Sequence, residues 1–133
     1  MSLNTEHLEK CLKTLDSSLK RLNHATKDSI EYDIFRNAAI KGFELSLETS
    51  GKLLRKALKQ YKGDPKSIDQ LTYKAVLRHA AKHDLLTTEM VERWFQYRDN
   101  RFAEETLILL PQFLEDAQAL QKKLDTFFGE NNA

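Results

Sequence analysis

Residues 29–61 constrain the fold most, because their apolar side chains recur at helical spacing for more than thirty residues with no proline among them. Phe35, Ala39, Phe43, Leu47, Leu54, Leu58 and Tyr61 fall on one face, and Ile34, Ala38 and Leu45 widen it. At 1.5 Å rise per residue this helix spans about 50 Å. Other elements must lie along that length to cover its stripe. Gly42 and Gly51 interrupt it, at a cost in helix propensity of about 1 kcal/mol each relative to Ala. That cost is tolerable where each lets another backbone pack closely, and Ser46, Thr49 and Ser50 suggest the same approach.

The flanking segments continue the pattern. Leu8, Cys11, Leu12, Leu15, Leu19 and Leu22 predict an amphipathic helix over about residues 4–24. Asp28 with Glu31 reads as a capping box opening the long helix, and Lys62-Gly63-Asp64-Pro65 as its stop. Ser67 with Gln70 offers a second capping box for a helix over about 68–83, carrying Leu71, Ala75, Val76 and Ala80 inward. Thr87 or Thr88 caps a further helix presenting Val91, Trp94 and Phe95. The last segment runs through Leu107, Leu110, Leu114, Ala117, Leu120, Leu124 and Phe127. Pro111 should kink or divide it, and Gly129 should end it. With no strand alternation, the expected fold is an all-α, up-and-down antiparallel helical bundle of about five helices, one domain over residues 1–133.

Composition narrows the function. Charged residues make up 31% of the chain and the formal net charge is +1, so any anion site is local rather than a global basic field. The single cysteine, Cys11, lies on an apolar stripe and reads as a small core residue. One thiol cannot form an internal disulfide, which fits a reducing cytoplasm, and no apolar run has the length of a membrane span. His79 and His83 lie four apart on one helical face, but Lys82 beside them disfavours a bound cation, and no metal or other cofactor is expected. No serine sits in a nucleophile elbow, and there is no glycine-rich phosphate loop.

The polar cluster Trp94, Tyr97, Arg98, Asp99, Asn100 and Arg101 stands where one helical pattern meets the next, at Phe102. No turn residues intervene, so the junction is a site, a bend in one long helix, or the stump of a missing loop. Arg98 and Arg101 are three apart, which allows both guanidiniums to face one side of a helix. Two planar, permanently charged forks suit phosphate or nucleotide recognition, with Asn100 beside them and Trp94 and Tyr97 as stacking faces. The bland reading has Asp99 and neighbouring acids pairing with the arginines and Trp94 in the core. Glu44, Glu48 and Lys52 run at i, i+4, i+8 on the long helix. They read as a solvated stripe with Glu-to-Lys support, or as a polar row facing a groove opposite the arginines.

The stretch Arg36-Asn37-Ala38-Ala39-Ile40-Lys41-Gly42-Phe43-Glu44, with residues 85–101 and their Trp94 and arginine-rich end, resembles a family of small helical proteins. These are the substrate-binding partners of minimal nucleotidyltransferases, within the wider HEPN superfamily, and the resemblance covers roughly residues 5–125. It implies a dimerising helical bundle, a homodimer or larger hetero-oligomer, that associates with a separately encoded nucleotidyltransferase subunit and binds a nucleotide or RNA. Related superfamily members are ribonuclease toxins of toxin–antitoxin pairs, whose site has an Arg followed by a His and a Tyr. Arg101 best matches that Arg, with Arg98 second. After Arg101 come Phe102, Ala103, Glu104, Glu105, Thr106 and Leu107, with neither His nor Tyr. A ribonuclease would need an added loop there; the chain as it stands resembles the non-catalytic, substrate-binding member. A helical dimerisation or adaptor module is the third reading.

Overall fold

The computed structural model describes residues 4–62, 65–100 and 102–132. Six helices follow in order: α1 (Glu6–His24), α2 (Ile30–Lys62), α3 (Pro65–Asp69), α4 (Tyr73–Lys82), α5 (Thr88–Asp99) and α6 (Ala103–Asn132). The long ones run up, down, up and down. Thr5 ahead of α1 bonds to Asp125 and Gln121 near the far end of α6, so those two helices are antiparallel. Phe43 of α2 meets Phe113 of α6 and Tyr61 meets Phe127, so α2 and α6 run the same way. Arg93 of α5 opposes Asp116 of α6 while Tyr97 opposes Phe113, which makes that pair antiparallel too.

The long helix is central, as its stripe requires. It packs on α1, α6, α4 and α3, burying Ala39, Phe43, Leu47, Leu54 and Leu58. A Cβ added at Gly42 would lie 3.3 Å from the Cβ of Leu15, so this glycine lets α1 pass closely. Gly51 serves a ring instead of a backbone: its added Cβ would lie 3.2 Å from Cε2 of Tyr73. Ile34 and Leu45, expected to widen the buried face, are exposed, and Tyr61 is 42% exposed.

Several boundaries depart from expectation, each for a local reason. Asp28 has a φ of 68° and does not cap α2. Ser29 does so, its Oγ accepting from the Tyr32 N–H. The segment 68–83 divides into α3 and α4, because Thr72 rather than Ser67 supplies the cap, accepting from Ala75 N–H. The α2 stop falls partly on Gly63 and Asp64, which lie outside the described residues. Helix α6 is continuous through Pro111 and past Gly129, ending at Asn132. Thr87 caps α5 by accepting from Met90 N–H, as expected.

The α5–α6 junction is neither a long loop nor a bent helix. Helix α5 ends at Asp99 and α6 begins at Ala103, so the connection is at the short end of the range of about 2–8 residues for such links. Asn100 has extended backbone (φ −70°, ψ 129°). Its Oδ1 accepts from Phe102 N–H, and its Nδ2 donates to Thr106 Oγ1 at 2.6 Å. The Thr106 hydroxyl in turn donates to the Phe102 carbonyl. One amide thus ties both sides of the turn to the start of α6. Among the described residues no helix is long and apolar enough to cross a membrane.

Candidate functional site

Helix α5 packs on α4 and α6 and leaves a groove of about 600 Å³ between itself and α2. Glu44, Glu48, Lys52 and Arg55 line it from α2, one helical turn apart or nearly so. Tyr73, Tyr97, Arg98 and Asn100 close the opposite side, over a floor that includes Phe43, Leu47 and Gly51. The acidic row of the long helix therefore does face the arginine-bearing end of α5. The same row is also solvated: Glu48 pairs with Lys52 at 3.2 Å, and both side chains are exposed.

Within the groove the charges are unequally committed. Arg55 spends its two terminal nitrogens on backbone carbonyls, Nη1 donating to Ile68 (2.9 Å) and Nη2 to Leu71 (3.0 Å). It therefore clamps the α3–α4 connection onto α2. Asn100 is engaged in the turn. Arg98 differs: its guanidinium lies 4.7 Å from the centre of the Tyr73 ring, and among the described residues it makes no hydrogen bond or ion pair. Glu44 is likewise exposed and without an ion pair among the described residues.

Tyr73 is the platform that positions Arg98. Its ring rests against Gly51, and its hydroxyl accepts from Trp94 Nε1 at 2.9 Å. Burial pushes that hydroxyl above the usual tyrosine range, against the Trp94 hydrogen bond and the Arg98 and Arg55 charges, which pull it down. Trp94 itself is 0% exposed, with Tyr97 and Phe113 packed about it. It cannot offer a stacking face to a ligand, and acts on the groove only through the Tyr73 hydroxyl. Tyr97, 1% exposed, is also no stacking platform: Phe43, Trp94 and Phe113 surround its ring. Both aromatics lie at helical spacing on the buried side of α5, so core packing claims them first.

Beneath the groove lies a polar network that sequence reasoning did not single out. Asp116 of α6 is buried (4% exposed), and Arg93 reaches it with two hydrogen bonds, Nε at 2.7 Å and Nη2 at 2.8 Å. Tyr97 donates its hydroxyl to the same carboxylate at 2.7 Å, and Gln112 adds a fourth contact. Burial alone would raise the Asp116 carboxyl, but the hydrogen bonds from Arg93, Tyr97 and Gln112 and the Arg93 charge hold it below the ordinary carboxylate value. Burial, and then donation to Asp116, drive the Tyr97 hydroxyl upward. The sequence did carry a signal: Asp116 stands three residues after Phe113 and four before Leu120, on the apolar stripe of the helix, and a buried acid needs partners.

The remaining sequence candidates fall elsewhere. Asp99 is exposed and lines a separate surface hollow with Gln96, Glu105 and Ile108, not the groove. Arg101 lies outside the described residues. His83 stacks on Tyr61 with ring centroids 3.9 Å apart. Among the described residues no group of three or more His, Cys, Asp or Glu side chains is placed to hold a metal ion.

A four-long-helix bundle with a charged groove at one helix terminus fits many binding proteins. Comparison with family models narrows it: residues 4–126 match the family described as nucleotidyltransferase substrate binding protein like, and the chain belongs to that family. No curated protein matches the chain. No solved structure matches it either.

Proposed function

We propose that this chain is the substrate-binding subunit of a two-component nucleotidyltransferase, and that its α2–α5 groove holds a nucleotide through its phosphate. The observation that carries the reading is Arg98. Its planar fork is steadied over Tyr73, faces a groove of ligand size, and has no hydrogen-bonding partner among the described residues. Such an exposed group can exchange solvent for the acceptor oxygens of a phosphate. Arg101, three residues on, is the second phosphate ligand in this proposal. Membership in the family supports the association with a nucleotidyltransferase, which supplies the transfer chemistry. In this proposal the subunit functions as a homodimer within that assembly.

The test is calorimetric titration of the purified chain with adenosine 5′-monophosphate, alongside Arg98→Ala and Arg101→Ala. The expected result is a loss of affinity of about tenfold or more at Arg98→Ala, the scale of one charge-assisted contact. Wild-type affinity in Arg98→Ala would overturn the phosphate assignment, and wild-type affinity in Arg101→Ala would remove Arg101 from it. Co-expression with a minimal nucleotidyltransferase from the same genome tests the assembly: a complex that co-elutes supports it, and separate elution removes it.

A further inference from the structure

The groove bears an uncommitted carboxylate as well as an uncommitted guanidinium. Glu44 and Arg98 line the same space from opposite helices, yet no ion pair joins them. A ligand that satisfies both must present an acceptor to Arg98 and a donor to Glu44. An ionised carboxylate accepts only, so the donor is either an ammonium or a hydroxyl.

The balance of charge decides between them. The groove sets two carboxylates, Glu44 and Glu48, against three cations, Lys52, Arg55 and Arg98. Glu48 already has its cation in Lys52, one turn along the same helix. A ligand ammonium would enter a site with an excess of positive charge. Neutral hydroxyls on an anionic ligand meet no such opposition. A vicinal diol can also present two O–H donors to the two oxygens of one carboxylate, a geometry that an isolated hydroxyl lacks.

Resting on the phosphate reading above, we infer that Glu44 accepts hydrogen bonds from the ribose 2′- and 3′-hydroxyls of the ligand, so that the groove selects ribonucleotides over their deoxy counterparts. Arg98 holds the phosphate and Glu44 the sugar, across a space of about 600 Å³ that admits a nucleotide. The two contacts divide the work: the guanidinium supplies attraction to any phosphate, and the carboxylate supplies the sugar preference. A 2′-hydroxyl is what separates ribose from deoxyribose at a binding site.

The test is titration of the full chain with adenosine 5′-monophosphate, its 2′-deoxy and 2′,3′-dideoxy forms, and glucosamine 6-phosphate, for wild type, Glu44→Gln and Arg98→Ala. The expected wild-type preference for the ribo over the dideoxy form is about tenfold, the scale of hydrogen bonds to a charged acceptor. Glu44→Gln should collapse that ratio toward one, while Arg98→Ala weakens ribo and dideoxy forms alike. Glu44 is exposed, and an unchanged melting temperature in Glu44→Gln will show that the fold is intact. A wild-type ratio near one, or a ratio that survives Glu44→Gln, overturns the sugar assignment while leaving the phosphate reading in place. Tighter binding of glucosamine 6-phosphate than of adenosine 5′-monophosphate, lost in Glu44→Gln, overturns it in favour of an ammonium. An Arg98→Ala protein with wild-type affinity for every ligand overturns the phosphate reading itself, and the sugar assignment with it.

Discussion

Arg93 and Asp116 meet in a two-point hydrogen-bonded ion pair, 23 residues apart in sequence, that fastens α5 to α6 directly below the groove. The carboxylate is buried while the guanidinium is partly exposed, so solvent screens one side of the pair only. Arg93→Ala should therefore destabilise the fold by about 2–3 kcal/mol, less than a fully buried pair, by stranding a carboxylate with Tyr97 and Gln112 alone. Urea unfolding followed by circular dichroism checks this. A change under about 0.5 kcal/mol would mean that Asp116 keeps adequate hydration without Arg93.

The same network sets two limits on pH stability. Because the folded Asp116 carboxyl lies below its unfolded value, its contribution is fully present above about pH 3.9 and is lost as acid carries the pH down through the native value. Tyr97 has the opposite sign. Its folded hydroxyl lies above its unfolded value, so that contribution holds below about pH 10 and falls as alkali ionises the unfolded chain first. Asp116→Asn should flatten the acid limb, and Tyr97→Phe the alkaline limb, of melting temperature plotted against pH.

Gly51 links helix propensity to the site. Gly51→Ala adds helix propensity of about 1 kcal/mol, but its Cβ would stand 3.2 Å from the Tyr73 ring edge. That ring is held by Trp94 and covered by Arg98, so it cannot yield without shifting the guanidinium. The expected outcome is a stable protein with severalfold weaker phosphate affinity. Equal affinity in wild type and Gly51→Ala would show that Arg98 does not depend on the ring's position.

Ser46 and Ser50 are fully buried, and neither hydroxyl has a hydrogen-bonding partner. A buried hydroxyl left unpaired costs about 1–3 kcal/mol of desolvation. Ser50→Ala should accordingly raise stability by about 1 kcal/mol, read as an increased melting temperature and urea midpoint. A drop instead would indicate that a water reaches the hydroxyl.

Elements governed by local spacing were legible in the sequence, and those governed by distant partners were not. The stripe from Ala39 to Leu58 and the Thr87 cap depend on neighbours within a few turns, and both stand as expected. The polar row Glu44, Glu48, Lys52 was legible as a row, but whether it faced a groove depended on where α5 came to lie. Tyr73 went unnoticed because its importance arises from Gly51, Trp94 and Arg98, each more than 20 residues away. Trp94 and Tyr97 misled for the converse reason. Their chemistry suggests recognition, yet their spacing aims them at Phe113. Ser29 displaced Asp28 as a cap because adjacent residues of similar capping strength differ only in backbone geometry.

The short connection that Asn100 opens makes the width of the groove a matter of gearing. Asn100 lines the groove with one face and fixes the first turn of α6 with its amide, so the angle at which α5 leaves α6 sets how far Arg98 stands from Glu44. Lengthening this connector would act as a clutch, disengaging the groove's far wall while the apolar packing of α1, α2 and α6 stayed meshed.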